Sequence, residues 1–62
     1  MNIYTAEEKH REALRELAMR KRVYPCQIAS GQMGKRDAER LIAIMQEISD
    51  DYHQLACKER LL

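Results

Sequence analysis

Ala38, Leu41, Met45, Ile48, Tyr52 and Leu55 recur at 3-4-3-4-3 intervals. That is the period at which one side of an α-helix returns to the same direction, and a strand cannot follow it. The stripe is coiled-coil-like and predicts a helix over about 35–60. Ile42 and Ile44 lie on opposite flanks of it, so between residues 38 and 48 the apolar arc widens to roughly 160°. One neighbouring helix cannot cover a face that wide.

Upstream, Thr5-Ala6-Glu7-Glu8 has the form of a capping box, with the Thr5 hydroxyl placed to accept from an amide three residues on and Glu8 to reach back. A first helix is expected over about 6–29. Glu7/Arg11, Glu12/Arg15 and Glu16/Arg20 are opposite charges three or four apart, and Leu14, Leu17, Lys21, Tyr24 and Ile28 follow a 3-4-3-4 spacing. Pro25 removes one backbone donor and clashes with the preceding turn. Because the apolar phase continues from Tyr24 to Ile28, a kinked helix is expected in preference to a break. Ser30-Gly31-Gln32-Met33-Gly34 then reads as a turn over 30–34, with Gly31 ending the first helix, Gly34 capping the second, and Met33 with Ala38 spaced as a hydrophobic staple.

Two long helices and a short turn make an antiparallel αα-hairpin, a single all-α domain over 1–62. At 62 residues such a chain sits near the size where one core is marginal and a partner chain is commonly recruited. The surplus apolar width predicts a homodimer, a four-helix bundle with Leu41, Ile42, Ile44, Met45, Ile48 and Tyr52 at the interface. Eleven Lys and Arg against ten Asp and Glu give a formal +1, so net charge points to neither nucleic acid nor an acidic mimic. The distribution is uneven: Arg20, Lys21, Arg22, Lys35, Arg36 and Arg40 lie toward the turn, and Glu7, Glu8, Glu12, Asp50 and Asp51 toward the open end.

With the turn centred near residue 32, facing positions sum to about 64 in an antiparallel hairpin. His10 should therefore approach His53, with Cys57 one turn further along the same face. Zinc accepts these ligand types, but a fourth ligand is missing, and no metal or cofactor is expected. A Cys57–His53 nucleophile lacks oxyanion donors, a cleft and an orienting third group, so no catalytic residue is assigned and the chain is not expected to be an enzyme. Cys26 and Cys57 fall roughly 25 Å apart along the hairpin, which precludes an internal disulfide and reads as two reduced thiols. Tyr24 and Tyr52 are in phase with the stripes and are expected in packing, Tyr4 against the C-terminal turn, and Leu61-Leu62 as a frayed tail or a small apolar hook. The N-terminus has neither a basic nor an apolar leader region and no run is long enough to span a bilayer, so a cytoplasmic location without membrane contact is expected.

The stretches Arg15 to Pro25 with Arg22-Val23-Tyr24-Pro25, Ile28 to Met33 with Gly31-Gln32-Met33, and Ala38-Glu39 followed by Ile42-Ala43-Ile44-Met45 through to Tyr52 form a combined pattern. It resembles small helical-hairpin proteins encoded in phage and prophage early regions. The resemblance spans about two thirds of the chain. It implies a bacterial cytosolic setting and a dimeric hairpin similar to phage anti-activators that bind host regulators. Cys26, Gln27 and Gly34 depart from that pattern.

The expected function is therefore a non-enzymatic protein–protein interaction module that binds and modulates a host bacterial protein, with Met19, Arg22, Tyr24 and Arg36 near the basic end as contact residues. The alternative is a nucleic-acid-binding accessory protein of phage recombination or replication, with Arg20, Arg22, Lys35, Arg36 and Arg40 on phosphates.

Overall fold

Both halves of the capping box form at the N-terminus of the first helix: the Glu8 amide donates to Thr5 Oγ1 at 3.1 Å, and the Thr5 amide donates to the Glu8 carboxylate at 3.4 Å. The computed structural model describes residues 3–61, and Met1, Asn2 and Leu62 lie outside the described residues. From the cap, helix α1 runs Ala6–Ala29, unbroken through Pro25. The proline ring leaves the Lys21 carbonyl without its amide donor. Both Lys21 and Pro25 are exposed, where water can take the place of that donor.

α1 ends in a Schellman motif. The Gln32 amide donates to the Gln27 carbonyl at 2.9 Å and the Gly31 amide to the Ile28 carbonyl at 3.1 Å. Gly31 takes φ +80°, the left-handed conformation this motif requires. Helix α2, Lys35–Leu61, starts at once, with the Ala38 amide on the Gly34 carbonyl at 3.0 Å. The helix bounds, the turn and the antiparallel hairpin agree with the sequence reading. The described part measures 47 × 19 × 17 Å.

The surface through which α1 and α2 meet differs from the expected one. The most buried side chains are Ala6, Ala13 and Leu17 on α1 and Ala38, Met45, Ser49 and Ala56 on α2, with Ile42 packed against the Ala13–Leu17–Met45 cluster. On α2 the contact line is thus 38-42-45-49-52-56, rotated from the stripe through Leu41, Ile48 and Leu55. On α1, Leu14 and Lys21 are exposed, and the line follows Ala6, His10, Ala13, Leu17, Arg20 and Tyr24. Alanine and serine let two backbones approach closely, so contacts unavailable to a bulkier pair are made across the seam. Ile44, Ile48 and Leu55 are displaced outward and keep 38%, 37% and 46% of their surface exposed. The hairpin is closed by alanines and Ser49 around a cluster of Leu17, Met45 and Ile42, and Ile44, Ile48 and Leu55 stand outside.

Candidate interaction surface

Four contacts between the helices hold the register. Near the turn, Arg20 donates to the Leu41 carbonyl at 3.0 Å. Toward the open end, Lys9 lies 5.8 Å above the centre of the Tyr52 ring, a cation–π distance, and the His10 and His53 ring centres are 4.9 Å apart. At the open end, Arg60 meets Glu7 at 2.9 Å. The pairing of His10 with His53 matches the register read from the turn position.

This register gives the hairpin two unlike long faces. On one, Ile44, Ile48 and Leu55 project from α2 with Leu41 and Tyr52 half-buried beside them. A shallow open groove of about 720 Å³ follows the seam there, walled by Tyr4, Lys9, Glu12 and Glu16 on one side and by Ile48 and Tyr52 on the other. Tyr4 also lines the next depression with Leu55 and Glu59 near the end of α2, and it remains 61% exposed rather than packed. On the opposite face, His10, Leu14, His53 and Cys57 line a small depression, with Cys57 Sγ 3.9 Å from His53 Nε2.

The six side chains expected at the dimer interface do not share a surface. Met45 is buried in the core and Ile42 packs onto it, whereas Ile44 and Ile48 point outward and Leu41 and Tyr52 form the edge between. Two residues apart on a helix is about 200° of rotation, so Ile42 and Ile44 cannot both face one partner. Leu55, not among those six, belongs to the outer face.

Of the residues expected to contact another protein, Met19 and Arg22 line one shallow depression together with Glu12, Arg15, Glu16 and Ala18. Arg36 is exposed in the first turn of α2, and Tyr24 is half-buried. Of the basic residues nearest the turn, Lys21, Arg22, Lys35, Arg36 and Arg40 are exposed. Arg20 is committed to Glu16 and to the Leu41 carbonyl. The Glu16 pairing is the one expected from the sequence, and the contact with the Leu41 carbonyl takes Arg20 out of the set expected on phosphates.

Glu12 and Glu16 in the groove are paired with Arg15 and Arg20, and both thiols are free and exposed. Among the described residues no group of three or more His, Cys, Asp or Glu is placed to hold a metal ion, and no helix is long and apolar enough to cross a membrane. Leu61 is exposed at the end of α2, and Leu62 lies outside the described residues. No family model, curated protein or solved structure matches the chain.

Proposed function

We propose that this chain is a non-enzymatic, phage-type interaction protein that binds a host bacterial protein in the cytoplasm and alters its activity by occupying a surface. The observation that carries the reading is the large apolar surface left outside: Leu17 and Met45 are buried among alanines and Ser49, while Ile44, Ile48, Leu55, Leu14 and Met19 remain exposed. Large apolar side chains left on a small folded unit mark a surface meant for another chain. In this reading a second copy covers the outer face of α2, and the depression of Met19 and Arg22 on the middle of α1, with Arg36 and Tyr24, meets the host protein.

Affinity capture of the tagged chain from nuclease-treated bacterial lysate, followed by mass spectrometry, tests this. One host protein in fixed stoichiometry is expected, lost from a Met19→Glu/Arg22→Glu variant that keeps its helicity. Capture that survives this variant, or no capture, removes the assignment of that surface.

A second reading draws on the exposed Arg22, Lys35, Arg36 and Arg40 near the turn. Contact with nucleic-acid phosphates predicts binding only when nuclease is omitted. Affinity should then fall with salt at a log–log slope of about 0.9 per neutralised phosphate on duplex DNA.

A further inference from the structure

The outward residues of α2 are arranged symmetrically along the helix. Ile48 is the centre, Ile44 and Tyr52 stand four residues to either side, and Leu41 and Leu55 stand seven to either side. Leu41, Ile48, Tyr52 and Leu55 keep the heptad spacing of the stripe, and the whole set, with Leu41 and Tyr52 half-buried at the edge of the seam, is also mirror-related about Ile48. An isologous contact requires that residue i meets j while j meets i. For two antiparallel copies of one helix this means an apolar residue at each mirrored position, which this stripe supplies. Parallel copies impose no such condition.

Charge selects the same orientation. The half of the hairpin nearer the turn, residues 18–46, carries Arg20, Lys21, Arg22, Lys35, Arg36 and Arg40 against Asp37 and Glu39, a formal +4, and the rest of the chain carries −3. Parallel copies would lay +4 on +4. Antiparallel copies lay each basic half over an acidic one, a complementarity that favours and orients encounter. On the α1 side of the groove charged Lys9, Glu12 and Glu16 stand beside Tyr4 and Ala13, so the larger share of apolar contact comes from α2.

The geometry points to a second copy of this chain as the occupant of the α2 outer face, docked antiparallel about a twofold axis at Ile48, with Leu41 of each copy against Leu55 of the other. This rests on the interaction-module reading and gives its self-pairing a single register. The groove beside Ile48 and Tyr52 becomes part of the joint between copies.

Disulfide trapping tests the register in a Cys26→Ser/Cys57→Ser background carrying Leu41→Cys, Ile48→Cys or Leu55→Cys, with helicity checked by circular dichroism. Ile48→Cys alone should cross-link to a dimer. Leu41→Cys and Leu55→Cys should cross-link only when mixed, because like positions on antiparallel copies stand about 21 Å apart along the axis. Homodimers of Leu41→Cys and of Leu55→Cys, each alone, would overturn the antiparallel register and leave self-pairing intact. Light scattering of the unmodified chain supplies the second readout. A monomer at micromolar concentration overturns the self-pairing altogether, while a monomer that still captures a host protein leaves the interaction-module reading standing.

Discussion

Arg20 binds the main chain of the opposite helix: its guanidinium donates to the Leu41 carbonyl at 3.0 Å while its Nε donates to Glu16 at 3.0 Å. The side chain is only 22% exposed, so it spans the two helices from within the seam. Arg20→Ala should lower unfolding stability in urea by about 1–2 kcal/mol, the worth of a charge-assisted bond away from bulk water. Arg60→Ala removes the equally short but largely exposed contact with Glu7 and should change stability by less than about 1 kcal/mol. Equal losses from the two variants would show that the Leu41 contact contributes nothing special.

Ser49 is 1% exposed, and its hydroxyl has no hydrogen-bond partner among the described residues. An unmet buried hydroxyl costs about 1–3 kcal/mol. Ser49→Ala should therefore raise the melting temperature while keeping the close approach of the helices. Ser49→Leu should lower it through overpacking. A drop in melting temperature for the alanine variant would mean the hydroxyl is satisfied after all.

The two turn glycines should respond in opposite directions. Gly31→Ala places a Cβ on a residue at φ +80° and should cost about 1 kcal/mol even though nothing stands within 4 Å of the added atom. Gly34 has no positive φ and precedes α2, so Gly34→Ser should be neutral or stabilise by a few tenths of a kcal/mol as a better N-cap, about 0.3. Chemical denaturation of both variants checks the contrast.

Core and outer face should separate under truncation. Leu17→Ala removes the largest buried side chain of α1, 5% exposed, and should cost about 2–5 kcal/mol, enough to unfold so small a domain. Leu55→Ser should leave the far-ultraviolet circular dichroism of the chain unchanged at high concentration and weaken its self-association in sedimentation. Loss of helicity in both variants to the same degree would place Leu55 in the core.

Helix bounds, capping box, turn and register were legible because each depends on near neighbours in the chain: Thr5 with Glu8, Gly31 with Ile28, and the turn position with His10 and His53. Which side of α2 faces α1 was not. Two stripes share Ala38, Met45 and Tyr52 and differ in whether they continue through Leu41, Ile48 and Leu55 or through Ile42, Ser49 and Ala56. A reading that ranks positions by hydrophobicity takes the first. Packing takes the second, because closeness of approach depends on the size of both surfaces, and Ala6 and Ala13 on α1 are matched by Ser49 and Ala56 on α2. The sign that was available was the recurrence of small residues on both helices. The inward turn of Arg20 had no such sign, since a flexible side chain chooses its partner only once the opposite helix is in place.

A seam that buries only Leu17, Met45 and Ile42 among alanines and a serine leaves the lone hairpin a thin margin against its own chain entropy. If the outer isoleucines and leucines are covered only by another copy, folding and pairing become one mass-action equilibrium, and the melting temperature rises with total concentration. The amount of protein then sets whether it has a shape at all. Below a threshold of expression the chain is a substrate for proteases, and above it a durable assembly, so its working dose is written into the size of the side chains between its helices.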